Sequence, residues 1–181
     1  MRWVGSGSVT ELVSVDDQLK AHCNLTGTGT TYDTILTSYV KSAGIMIEQR
    51  LGYPLRYPNS IVYYETDGCN QIVLPKNINT ISTYHYYDGT NWVAQTFTNI
   101  TRNDYYLYSE LLSSEIKQDT RYKITCTITV NAVESIKNAC RLVVAAMFEE
   151  RENKQIKTTG GATNYGDILD IYLAGEIAYY P

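Results

Sequence analysis

Residues able to carry chemistry are scarce in this chain, and each scarcity excludes something. Its 181 residues include 2 histidines, 2 phenylalanines, 2 tryptophans and 4 cysteines. His22 and His85 stand far apart with no second His/Cys cluster beside either, so neither a metal centre nor a histidine-based triad has material to build on. Cys23, Cys69, Cys126 and Cys140 show no C-x-x-C spacing and read as free thiols in a reducing compartment. The carboxylate pairs Asp16-Asp17 and Glu149-Glu150 fall on helical stretches, where adjacent side chains diverge by about 100° and cannot share a substrate. The run Thr26-Gly-Thr-Gly-Thr-Thr31 has the glycines of a phosphate loop but lacks the Lys-Ser/Thr ending and a preceding strand. No catalytic residue, cofactor site or metal site is expected.

Two further absences concern location. No stretch approaches the roughly 18 apolar residues that span a bilayer, and the start MRWVGSGSVTEL lacks the apolar core of a leader. The expectation is a protein assembled in the cytoplasm, with Asn24-Leu-Thr and Asn99-Ile-Thr as chance matches to the glycosylation pattern. Nor is there a basic excess: 15 Lys and Arg face 19 Asp and Glu, for a net charge of −4. A protein that grips nucleic acid by neutralising phosphates carries the opposite balance.

What is present is framework and tyrosine. Seventeen tyrosines suit either ordinary half-exposed strands or protein interfaces, and the composition does not choose between them. After a Gly/Ser-rich lead-in over 1–13, Ser14-Val-Asp-Asp17 reads as the capped start of a short helix reaching about Cys23. Ile35, Leu36, Tyr39, Val40, Ala43, Ile47 and Leu51 then form one apolar stripe at helical period. Gly52 offers a left-handed cap and Pro54 forbids continuation. From Ser60 to Val130 the period changes to that of strands. SIVYYET and CNQIVLP about Asp67-Gly68, and INTISTYHYY and TNWVAQTF about Asp88-Gly89, read as two hairpins with type I′ turns. NDYYLYS is a weaker strand, 110–120 a polar loop, and RYKITCTITV a clean strand, making five or six antiparallel strands. Asn131-Ala-Val-Glu134 reads as a capping box opening a helix that buries Val133, Ile136, Cys140, Val143, Val144, Met147 and Phe148. A polar glycine-rich loop and the short amphipathic piece Asp167–Leu173 follow.

In order, the segments SVDDQLKAHCNL (14–25), YDTILTSYVKSAGIMIEQRLGYPL (32–55), NAVESIKNACRLVVAAMFEERE (131–152) and DILDIYLAG (167–175) resemble the phage head–tail connector family, the ring-forming head-completion adaptors of long-tailed phages. Ile47-Glu48-x-Arg50-x-Gly52-x-Pro54-Leu55 carries most of the likeness, and the long strand insert departs from it. The resemblance implies a homo-oligomeric ring of roughly twelve copies under the portal protein, joining the capsid to a tail or stopper protein. DNA would pass through without sequence-specific binding, and no membrane is involved.

The expected fold is α+β: a small helical bundle of two long amphipathic helices plus short ones, with an inserted antiparallel β-meander. The expected organisation is a single connector domain over 1–181. Residues 14–55 and 131–175 form its helical core, 60–130 a β-rich insertion, and 155–181 a C-terminal docking segment. Expected partner contacts are the turns Asp67, Gly68, Asp88 and Gly89, directed away from the helical core, with Tyr86, Tyr87 and Trp92 beside them. Ile168, Leu169, Ile171, Tyr172, Tyr179 and Tyr180 are the expected contacts in the C-terminal segment. Two other classes stay open: a tail-completion or other tail-side phage protein, and more distantly an extracellular adhesion module. The latter predicts a signal peptide and paired cysteines, and neither is visible.

Overall fold

The computed structural model of the chain describes residues 2–75, 77–104, 108–129, 133–156 and 165–174. The elements in chain order are β1 (Arg2–Ser6), α1 (Asp17–His22), α2 (Asp33–Leu51), β2 (Asn59–Glu65), β3 (Gln71–Pro75), β4 (Ile78–Tyr87), β5 (Trp92–Gln95), β6 (Thr101–Asp104), β7 (Tyr108–Leu112), β8 (Arg121–Ile128), α3 (Glu134–Ile156) and α4 (Tyr165–Leu173). They fall into two compact units, a β unit from 2–10 and 53–129 and an α unit from 11–52 and 133–174.

The fold is mixed α+β, with 34% helix and 31% strand, and it is not a helical bundle. The strands build two antiparallel sheets, one of five in the order β1-β2-β8-β4-β5 and one of three in the order β3-β7-β6. The expected meander of consecutive hairpins is therefore wrong as well. The physical reason is that helical amphipathicity is a local signal, whereas strand pairing is decided by which faces can be buried together.

β8 is central because its sequence alternates without a break. Tyr122, Ile124, Cys126 and Ile128 are buried, while Lys123, Thr125 and Thr127 are half-buried on the opposite face. β2 and β4 align their own apolar residues with it, through Val62↔Ile124, Tyr64↔Tyr122, Tyr84↔Ile124 and Tyr86↔Tyr122. Across the core stand Ile72, Leu74 and Leu111 of the second sheet, joined by Ile116 from the 113–120 loop. The lead-in is a true edge strand: β1 pairs with β2, and Gly5 is required because a Cβ there would lie 2.3 Å from the Tyr57 ring.

Asp67-Gly68 does not close a hairpin. β2 pairs with β1 and β8, and β3 pairs with β7, so the chain changes sheets at this turn. The burial of β3 explains why: Ile72 to Pro75 are four buried residues in succession, which need cover on both faces. Asp88-Gly89 does lie in a hairpin, β4–β5, but its register ends at Tyr87↔Trp92 and leaves a four-residue loop. Asp88 shapes that loop by accepting hydrogen bonds on Oδ1 from the Thr90 and Asn91 amides at 2.8 and 2.7 Å.

In the α unit, α2 buries Leu36, Val40, Ala43, Ile47 and Leu51, the stripe its sequence announces, and ends at Gly52 with φ +78°. α1 is capped by Asp16, whose Oδ1 accepts from the Leu19 amide at 2.9 Å, with Ser14 hydrogen-bonded to the other carboxylate oxygen. α3 buries Ile136, Cys140, Val143, Val144 and Phe148, but Val133 precedes the helix and is 50% exposed. Asn131, the expected cap, lies outside the described residues. Glu134 instead accepts from the buried Arg141 at 2.7 Å, two turns along. Lys20 ties the 26–31 linker down by donating to the Gly29 carbonyl at 2.6 Å and pairing with Asp33 at 2.7 Å. α4 packs on α3 and α2 through Leu169 and Leu173.

Candidate interaction surface

At one end of the β unit, three loops that are distant in sequence are stitched together. The buried Thr66 hydroxyl lies 2.8 Å from the Lys117 carbonyl and accepts from the Thr120 amide at 2.9 Å, while the Thr66 amide donates to the Thr120 carbonyl. The Gly68 amide donates to Asp119 Oδ1 at 3.1 Å, and Asn70 Nδ2 to the Ile116 carbonyl at 2.9 Å. Glu115 fastens the 96–99 segment by accepting from the Thr98 hydroxyl and amide. Those donors, the hydroxyl first, hold its carboxyl below the usual value. The Tyr122 hydroxyl accepts from the Lys117 amide at 2.8 Å and anchors the same loop to the core. The stretch 110–120, expected to be a polar loop, thus holds the end of β7, the buried Leu111 and Ile116, and the hub of this network.

The hub brings the Asp88-Gly89 loop beside Lys117, Asp119 and Arg121, around an open cleft of about 640 Å3. Lys117 Nζ lies 3.3 Å from the centroid of the Tyr86 ring and the Arg121 guanidinium 4.4 Å from that of Tyr87. Asp88 is held below its usual pKa, chiefly by the Asn91 and Thr90 amides. Asp88, Lys117, Asp119 and Arg121 are thus each held by a local partner.

The outer face of the five-stranded sheet carries a second constellation. Tyr63, Lys123, His85 and Ala94 form one cross-strand row, with Arg2 at its edge. The Trp92 ring meets Tyr87 at 5.3 Å and Tyr63 at 5.9 Å between centroids, the latter across two intervening strands. Arg2, Tyr63, Tyr64, Glu65, Trp92 and Arg121 line a cleft of about 350 Å3 there. Fixed aromatic planes with arginines at the rim are what protein partners use as anchoring sites. The charged positions of this face, Arg2, Arg121, Lys123 and Glu65, give it an excess of basic charge.

The expected contact residues are distributed accordingly. Asp67, Gly68, Asp88, Gly89 and Trp92 are exposed at this end, Tyr87 is half-buried on the outer face, and Tyr86 points the other way, against the core. In the α unit Leu169 is buried and Ile168 half-buried, whereas Ile171 and Tyr172 are 74% and 44% exposed. Tyr179 and Tyr180 lie outside the described residues. Sequence reasoning missed Tyr63, Arg2 and Arg121. The strand period of RYKITC could have placed Arg121 outward, but nothing local joins it to Trp92.

The thiols are free, with Cys23, Cys126 and Cys140 buried and Cys69 exposed. Burial pushes Cys23 and Cys126 up to about 11, which makes both poor nucleophiles. Among the described residues no group of three or more His, Cys, Asp or Glu is placed to hold a metal ion, and no helix there is long and apolar enough to cross a membrane.

A two-sheet β unit whose strands β2–β8 stand in the chain between the helix pairs α1–α2 and α3–α4 is an architecture shared with solved structures of phage-like particles. One match is a chain in the neck of an empty gene transfer agent (GTA) particle computed with C6 symmetry, another a chain in the virion of a native GTA particle. Each has a TM-score of 0.65 at 14% identity, over 100% of this chain and 98% of that chain. At that identity the likeness is one of fold. No protein-family model matches the sequence, and no curated protein matches it.

Proposed function

We propose that this chain is a structural, non-catalytic component of the neck of a phage-like particle: a head–tail connector that forms a ring beneath the portal and joins the capsid to the tail. One observation carries the reading. The chain shares its fold, end to end, with a chain from a GTA neck. The connector-like order of capped helices supports the same reading from the sequence side. A ring of twelve copies is compatible with the six-fold symmetry applied to that neck. In this reading the portal and a tail or stopper protein are its neighbours, DNA crosses the lumen, and the net charge of −4 keeps phosphates from sticking. The β unit and α unit act as one connector, and the C-terminal segment 155–181 contributes to docking.

Deletion of the gene from its particle tests this. The expected product is DNA-filled heads and separate, complete tails. Tailed, infectious particles from the deletion would overturn the reading, and full heads bearing defective tails would favour a tail-completion protein instead.

A further inference from the structure

Among the described lysine and arginine side chains, Arg2 and Lys123 alone have no hydrogen-bond, ion-pair or ring partner. The sheet register brings these two together: they flank Tyr63 on either side, across β1, β2 and β8. His85 continues the row on β4, and its buried Nδ1 also lacks a partner. This row holds no carboxylate. Glu65 and Arg121 stand opposite one another in the next outward row. Adjacent strands lie about 4.8 Å apart, so both long cationic side chains can reach over the tyrosine between them. In a chain with an acidic excess, two cations left unpaired about one tyrosine form a seat for an anion that the chain does not itself supply. The same place holds aromatic planes. The Trp92 ring meets that of Tyr63 at 5.9 Å, and both rings line the cleft of about 350 Å3 together with Arg2, Glu65 and Arg121. Trp92 is 37% exposed.

We propose that this face binds single-stranded nucleic acid, with one base stacked in the Tyr63–Trp92 cleft and the phosphates flanking it accepting from the Arg2 guanidinium and the Lys123 ammonium. A nucleotide is the ligand because it joins the two chemistries of the site, an anion of fixed charge and an aromatic plane. An acidic peptide satisfies the cations only. Duplex DNA keeps its bases within the stack and leaves the aromatic cleft empty. The net charge of −4 opposes phosphate over the rest of the chain, so the binding is weak and sensitive to salt. The site stands on the β unit alone and goes beyond the neck reading, which offers a source of DNA but is not needed for it.

Fluorescence anisotropy of a labelled oligothymidylate of about twelve nucleotides, titrated with the purified full-length chain at low salt, tests it. The single strand should bind at least about fivefold more tightly than a duplex of equal length or a labelled oligoglutamate. Trp92→Ala should weaken it at least about fivefold through the loss of one stacked base. Arg2→Gln and Lys123→Gln should each weaken it and flatten the dependence of log Kd on log salt by about 0.7, the value of one phosphate contact on a single strand. Each variant is first shown to melt like the parent. Arg2→Gln, at an exposed position with no partner to lose, carries the test by itself if Trp92→Ala unfolds. Lys137→Gln, on α3, should leave binding unchanged. No binding of the single strand, folded variants of Arg2 and Lys123 that bind like the parent, or a duplex bound as tightly as the single strand would overturn the site. Tighter binding of the oligoglutamate would also overturn it and give the row to an acidic protein partner.

Discussion

The α unit and the β unit of this chain are held together by different kinds of information. In the α unit each helix carries its own instructions: the apolar stripe of α2, its Gly52 stop at φ +78°, and the Asp16 cap of α1 all act within a few residues. In the β unit only the β4–β5 and β6–β7 pairings are local. β2 binds β8 some sixty residues on, with Asn59 opposite Thr127 and Glu65 opposite Arg121. The buried Thr66 hydroxyl is satisfied by carbonyls at 117 and 120. Helical pattern therefore marks individual helices in such a chain, while the architecture, the sheet topology and the surface built on it are joint properties of distant segments.

The comparison can be broken at its largest points first. Tyr122 is fully buried in the β core and its hydroxyl serves the 113–120 hub, so Tyr122→Ala should destabilise by about 3–5 kcal/mol in urea unfolding, as large aromatic truncations do. Ile47→Ala in α2 should cost about 2–4 kcal/mol by the same measurement, since Ile47 is 0% exposed. If Ile47→Ala melts like the parent, the helical core is drawn wrongly. Thr66→Val keeps the shape of a buried side chain but leaves the Thr120 amide without its hydroxyl acceptor, and should cost about 1–3 kcal/mol. Equal stability of that variant would remove the hub from the account.

The smallest expected effect concerns acid. The Leu19 amide, first among its partners, holds the Asp16 carboxyl below its ordinary 3.8. Because the folded value is the lower one, the ionised cap stabilises the fold fully above the ordinary value, and the contribution is lost as pH falls through the folded value. Asp16→Asn retains a good cap without the titration. Its stability at neutral pH should stay close to that of the parent while its acid limb flattens slightly. An unchanged acid limb would show that the cap does not titrate in that window.

Legibility in the sequence follows the same division. The stripes of α2 and α3 and the alternation of Tyr122, Ile124, Cys126 and Ile128 were readable because period alone reveals them. β1 was hidden because RWVGS, with its glycine, scores poorly as a strand until Tyr57 is known to press on Gly5. Asp67-Gly68 has strong hairpin chemistry, yet the all-buried run Ile72–Pro75 sent β3 to the other sheet. Of the interaction surface, the exposed turns, Trp92 and the Ile171–Tyr172 face were legible as exposed apolar or turn chemistry. Tyr63, Arg2 and Arg121 were not, because only the register across β1, β2, β8, β4 and β5 gathers them beside Trp92.

The central claim is that this fold stands in the neck of a phage-like particle. A peptide tag inserted in the exposed 88–91 loop, decorated with antibody–gold on intact particles, reads that position directly by electron microscopy. The account predicts gold confined to the junction between head and tail. Gold along the tail shaft, at the tail tip, or absent from purified particles would contradict it.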